Sequence, residues 1–252
     1  MMTNLEFVSK LVDVAQNYKT LYVYGCFGAP LNTKNKERYK NNNDYNRDPT
    51  RQSMIDKATV NTFGFDCVCL IKGILWGWCG NKNKTYGGAT YRSNNVPDVG
   101  ADAMINRYCN EVSTDFTTIK VGEVVWMPGH IGVYIGNEKV VECTPKWNNC
   151  VQITNLGNLG NNKGNWRNWK KHGFLPWVDY SVENQCPEIQ EDLDPIQSSS
   201  VGSREYIVKK GDTLSKIAAR YGTTVYQIVS DNKPRYQRLT ANFICAGWKL
   251  FV

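Results

Sequence analysis

The chain has 252 residues, 41% of them hydrophobic and 21% charged, and a formal net charge of +7. These proportions predict a soluble globular protein with one large domain or two small ones. No apolar run approaches the roughly 18 residues of a membrane-spanning helix, which excludes bilayer insertion. Met1 to Lys10 is polar and partly acidic. It lacks the apolar core of a secretory signal, so the expectation is a protein held in the cytoplasm unless something else releases it.

The first predicted element is an amphipathic helix over 5–18, with Leu5, Val8, Leu11, Val12, Val14 and Ala15 on its apolar face. An aromatic stretch from Leu21 ends in turn signals at Gly25, Gly28 and Pro30. Residues 32–52, rich in Asn, Lys, Arg and Asp, read as a solvated loop or a polar helix face. A short helix over 54–60 leads to a turn at Phe63-Gly64. Asp66 then caps a mostly buried helix starting at Cys67, with Val68, Leu70, Ile71, Ile74, Leu75 and Trp78 as its apolar positions. Residues 80–100 read as a Gly/Asn-rich loop, and 102–112 as a second amphipathic helix.

Strand signals dominate after that. Residues 123–127, 131–136 and 139–143, parted by Pro128-Gly129 and Asn137-Glu138, predict an antiparallel meander with a fourth strand at 151–154. Trp166, Trp169 and Phe174 to Val178 form a closing segment over the sheet. Residues 181–203 carry five acids and no base and read as a linker, since so polar a stretch cannot bury enough surface to order itself. Residues 204–252 carry nine Lys or Arg against three Asp or Glu and predict a compact βααβ module. Its first helix is capped by Asp212 or Thr213 and ended by Gly222. Such basic charge suits a polyanionic partner: nucleic acid, an acidic membrane surface or a bacterial wall polymer.

Nine cysteines form no C-x-x-C pair. This argues against a disulfide framework or zinc knuckle and for a reduced compartment, with no metal and no cofactor. Cys67 differs from the rest. A helix N-terminus favours thiolate over thiol, and the thiolate is a nucleophile; the alternative is a buried structural cysteine. A thiol that attacks an amide needs a base and a group to orient it. Of the two histidines, His130 stands at a strand entry and is the candidate base. His172 lies in a predicted loop among lysines, which would disfavour its protonated form. The hairpin at Asn137-Glu138 puts Glu142 on the strand opposite His130, as the candidate orienting carboxylate.

These residues carry a resemblance. Tyr22-Val23-Tyr24-Gly25, Phe65-Asp66-Cys67 opening a helix, Gly129-His130-Ile131-Gly132-Val133-Tyr134-Ile135-Gly136 and Val141-Glu142 resemble the NlpC/P60 cysteine peptidases and the related CHAP amidases. The resemblance covers about residues 1–180. It implies an α+β, papain-like core, Cys67 as nucleophile, His130 as base, Glu142 at the third polar position, and Tyr22 assisting the oxyanion or the nucleophile. There are departures. Val68-Cys69 stand where Ser-Gly is common, Tyr24-Gly25-Cys26 replaces Trp-Gly-Gly, and Glu142 stands where His is common, which leans towards CHAP-like or viral branches. Residues 206–218 with Tyr221 to Thr224 are similar to LysM domains, though Ala246-Gly247-Trp248 departs from the usual Pro-Gly-Gln. That likeness implies binding of N-acetylglucosamine-containing glycan. Gly211, Asp212, Thr213 and Leu214 would line one side of the groove, with Ile244 near the other.

Together the two likenesses imply a peptidoglycan hydrolase of the phage endolysin type. It would be held in the host cytoplasm until release through a holin, and would act on the stem peptide while anchored to wall glycan. The alternatives are a CHAP-type N-acetylmuramoyl-L-alanine amidase and a non-catalytic wall-binding protein. A zinc amidase is disfavoured by two histidines 42 residues apart. A nucleic-acid partner would account for the charge but not for the LysM-like motif.

Overall fold

The computed structural model describes residues 1–181, 204–209, 212–232, 235–236, 239, 244 and 247–252. The chain forms two compact units, Met1–Asp179 and Tyr180–Val252. No described helix is long and apolar enough to cross a membrane.

The first unit opens with β1 (Met2–Thr3) and α1 (Asn4–Asn17). Thr3 Oγ1 accepts from the Glu6 N–H at 3.2 Å, and Glu6 Oε2 accepts from the Thr3 N–H at 3.0 Å, so two otherwise orphaned donors of the first turn are satisfied. Of the expected apolar face, Val8, Leu11, Val12 and Val14 are buried, joined by Phe7, while Leu5 and Ala15 are half-buried. β2 (Lys19–Tyr22) and β3 (Phe27–Pro30) follow.

The polar stretch after them is not a loop. It forms α2 (Thr33–Lys40), α3 (Asp44–Arg47) and α4 (Pro49–Lys57), opened by the side chains of Asn32, Asn43 and Asp48 respectively. Few apolar residues are needed, because Tyr39 and Ile55 alone close a small core over Val23, Cys26, Ala29 and Leu31.

β4 (Thr62–Phe65) lies between β2 and β3, parallel to the first and antiparallel to the second. Phe63-Gly64, expected as a turn, is therefore central strand. Gly64 is there for close packing: a Cβ would stand 2.8 Å from Cys26 Sγ. α5 (Cys67–Leu75) comes next, with all nine residues buried.

The second expected amphipathic helix is cut short. α6 (Ala101–Ala103) passes into a π-helical turn over Met104–Tyr108, and β5 (Asn110–Ser113) is strand, because a neighbouring strand pairs with its backbone. Then come β6 (Val124–Met127), β7 (His130–Gly136), β8 (Lys139–Thr144), β9 (Cys150–Leu156), β10 (Trp166–Arg167), β11 (Lys171–Phe174) and β12 (Val178–Asp179). Seven of the strands form one sheet in the order β10-β9-β8-β7-β6-β11-β5. β6 to β9 are the antiparallel meander read from the turns. α5 packs against β7 and β8. β12 pairs in parallel with β1.

The second unit holds β13 (Glu205–Ile207), α7 (Leu214–Tyr221), α8 (Val225–Asn232) and β14 (Lys249–Phe251), with β13 antiparallel to β14. Thr213 caps α7, and Gly222 ends it in the left-handed region at φ +62°. Tyr206, Leu214, Ile217, Val225, Ile228 and Leu250 form its core. The proposed linker, 181–203, lies outside the described residues except for residue 181, as does Gly211.

Candidate active site

α5 starts at Cys67 because Asp66 is fixed at both oxygens. Oδ1 accepts from the Cys69 N–H at 2.7 Å and Oδ2 from the Gly25 N–H at 2.8 Å. The second bond ties the start of α5 to the loop after β2. Cys67 is 7% exposed. The helix terminus favours a thiolate, but burial opposes it and is the larger effect. Burial pushes the Cys67 thiol up to about 12, and the Asp66 carboxylate adds to the rise. N–H groups of Val68, Ile131 and Cys67 itself draw it back only in part. The expectation of a thiolate favoured by the helix terminus is therefore corrected: burial keeps the proton on Cys67.

The Ile131 N–H that reaches the thiol belongs to β7 and adjoins His130. His130 Nε2 stands 2.6 Å from Glu142 Oε2 across the β7–β8 pair. Among the described residues Nδ1 has no hydrogen-bond partner, which leaves it available as a proton acceptor. Trp169 stacks on the imidazole, with ring centroids 5.4 Å apart and planes 16° from parallel. The turn that delivers His130 is pinned by Asp102, whose Oδ1 accepts from Trp126 Nε1 and from the Gly129 N–H, each at 2.8 Å. Gly129 takes φ +74°, a conformation glycine adopts without strain. Gly132 lets β7 approach β8: a Cβ there would meet Val140 Cγ1 at 2.7 Å.

Glu142 is fully buried, unlike an ordinary strand acid. Thr154 Oγ1 donates to Oε1 at 2.6 Å, and Arg167 Nε reaches Oε1 at 3.1 Å and Oε2 at 2.8 Å. Burial works against the charge, but His130, Arg167 and Thr154 outweigh it and hold the carboxyl below its ordinary pKa. Glu142 is thus a fixed negative charge on the Nε2 side of the imidazole.

Tyr22 is 8% exposed, and its ring meets Tyr45 edge-on at 5.6 Å. Arg51 donates to its carbonyl oxygen. Burial raises the phenol far above its usual pKa, and the nearness of Cys67 and Asp66 raises it further. The hydroxyl therefore keeps its proton.

The fold thus gathers Tyr22, Cys67, His130 and Glu142 around the start of α5 and the β7–β8 pair. His172 lies elsewhere. It is on β11, not in a loop, and it is buried, with Nδ1 2.5 Å from Glu123 Oε2 and Nε2 3.0 Å from the Asp115 carbonyl. Arg167, Thr154 and Trp169 complete the site without having been singled out. A buried acid requires a counter-charge, and the one Arg between Trp166 and Trp169 was the available signal. Among the described residues no three His, Cys, Asp or Glu side chains are grouped to hold a metal ion.

Residues 206–252 match the LysM domain. LysM domains bind peptidoglycan glycan chains, which gives the chain a wall-glycan partner. No curated protein matches the chain. Within the LysM unit, Asp212 Oδ2 accepts from the Tyr206 hydroxyl at 2.7 Å and the Lys209 N–H at 2.8 Å, so it holds the turn after β13. Thr213 Oγ1 accepts from the Lys216 N–H at 3.3 Å. Leu214 is 1% exposed and packs in the core of the LysM unit. Ile244 is partly buried against the same core.

Proposed function

We propose that the first unit is a thiol-dependent amidohydrolase of NlpC/P60 type, acting on peptidoglycan to which the LysM unit binds. The observation that carries this reading is the buried, charge-neutralised Glu142 set on His130 Nε2, one residue from the N–H that reaches Cys67. Nδ1 of His130 takes the Cys67 proton as sulfur attacks an amide carbonyl, and Glu142 stabilises the imidazolium formed. The Cys67 N–H at the helix start and the Tyr22 hydroxyl steady the oxyanion. The imidazolium then protonates the leaving amine, a thioester remains on Cys67, and water activated by His130 clears it. Tethering by LysM raises the local concentration of enzyme on an insoluble substrate. A bacteriolytic, endolysin-type role follows from that pairing, with a stem-peptide amide as the bond cut.

The test is mass spectrometry of purified peptidoglycan digested with wild type and with Cys67→Ala. New amine and carboxylate termini within the stem, made by wild type alone, support the endopeptidase. Stems released intact from the sugar make it an N-acetylmuramoyl-L-alanine amidase. No new termini from either protein would leave only a wall-binding protein. Chelators are expected to leave activity intact and thiol alkylation to remove it.

A further inference from the structure

A cavity of about 530 Å³ opens beside the nucleophile's helix. Asp66, Val68 and Cys69, which flank Cys67, form one side of it, and Tyr24, Tyr86 and Tyr91 supply aromatic surface. The charged groups that line it are not equivalent. Asp66 has both oxygens committed, to Cys69 and Gly25. Asp98 is committed too: Lys72 donates to Oδ1 and the Tyr91 hydroxyl to Oδ2 at 2.8 Å. Lys72 is buried, and it donates to Asp98 and, at 3.0 Å, to the Val99 carbonyl.

Arg38 differs from all three. It stands exposed on α2, its guanidinium 5.2 Å from the Tyr86 ring and 5.8 Å from the Tyr39 ring. Its one hydrogen bond runs from Nη1 to the Tyr86 hydroxyl at 2.5 Å. Among the described residues it has no ion-pair partner. A guanidinium has five N–H donors, so most of those on Arg38, which lines the cavity, have no partner among the described residues. The tyrosine rings fix its plane and lower the entropy lost when a ligand binds. A cavity whose acids are spent and whose arginine is not is built for an anion, and the planar fork matches a carboxylate.

We infer that Arg38 is a specificity-determining residue. It reads a free carboxylate on a peptide bound in this cavity, so that carboxylate-bearing stem peptides are preferred over the same peptides amidated. This rests on the proposed hydrolase reading for its link to catalysis, but the binding claim stands by itself. An amidated group carries no charge and brings an N–H₂ against the guanidinium's donors, so it loses the charge-assisted bonds.

Binding separates the two questions. Full-length Cys67→Ala protein is titrated calorimetrically with a synthetic stem peptide whose γ-linked D-glutamate keeps its α-carboxylate, and with its isoglutamine counterpart. The acid form is expected to bind about tenfold tighter, the worth of a partly exposed charge-assisted pair. Adding Arg38→Gln should bring the ratio to about one, and Arg38→Lys should leave it between, since the charge remains but the fork is lost. Equal binding of the two peptides, no binding of either, or a ratio untouched by Arg38→Gln would each overturn the inference. Selective binding by Cys67→Ala together with no cleavage by wild type would instead remove the hydrolase reading and leave the carboxylate site standing.

Discussion

Two histidines in this chain each face a buried glutamate, and the two pairs are built for different ends. In the His172–Glu123 pair both imidazole nitrogens are engaged, by Glu123 and by the Asp115 carbonyl. The histidine side chain is 3% exposed. In the His130–Glu142 pair one nitrogen is engaged, and the side chain is 15% exposed. The carboxylates differ as well. Burial raises the pKa of Glu123, and His172 with the Lys120 N–H offsets that only in part. Glu142 is buried more deeply yet lowered, because Arg167 and Thr154 add to what its histidine supplies. A histidine–carboxylate contact alone therefore says little about chemistry. Two features separate the pairs: a second cation that keeps Glu142 charged, and one imidazole nitrogen of His130 left without a hydrogen-bond partner among the described residues.

Glu142→Gln and Glu123→Gln test the comparison most severely. The first is expected to cut turnover on purified peptidoglycan by 10²- to 10⁴-fold, the range for losing a positioned acid–base partner. The second should lower the melting temperature and leave the turnover of folded protein within about twofold. Equal losses of turnover would erase the distinction between the pairs.

Arg167→Met comes next in size. It leaves Glu142 buried with His130 and the neutral Thr154 hydroxyl but without its guanidinium, at an expected cost of about 3 kcal/mol by denaturant titration. It should also convert Glu142 into an acid of the Glu123 kind, with its pKa raised instead of lowered. Stability unchanged in this variant would mean that Arg167 does not carry the charge balance.

The smallest effects lie in the pH dependence, and their signs oppose. The pKa of Glu142 is lowered in the folded state. Its stabilisation is present above the unfolded value of about 4.3 and is lost as pH falls through the lower folded value. The pKa of Glu123 is raised. The folded state then binds the proton more readily, and stability falls as pH rises from about 4.3 through the raised folded value. Against wild type, Glu142→Gln should flatten the acid limb and Glu123→Gln the limb just above it. Both variants shifting the same limb would contradict the opposite directions.

How much of this was legible depended on whether a signal was local. Asp66 before a dense apolar run announced α5, and Pro128-Gly129 and Asn137-Glu138 marked the meander that sets His130 against Glu142. Gly222 and the periodicity of Ile217 and Ala218 announced the second unit. Arg167 and Thr154 were not legible, because their roles arise from strand order, with β9 beside β8 and β10 beside β9. His172 was misread for the same reason: its lysine neighbours in sequence point elsewhere once β11 pairs with β6. The state of the Cys67 thiol was misjudged because a helix terminus is visible in sequence and burial is not. Between Thr33 and Lys57 the sequence left loop and polar helix open and set the short helix too late, at 54–60, because side-chain caps and two core residues, rather than an apolar stripe, hold the three helices.

The pairing of Met2–Thr3 with Val178–Asp179 has a mechanical consequence. A chain held to an insoluble wall by its second unit transmits any pull through Tyr180, next to that two-residue ladder. That ladder joins the last strand of the first unit to the strand that opens α1, so a pull at Tyr180 is shared between the two ends of the unit.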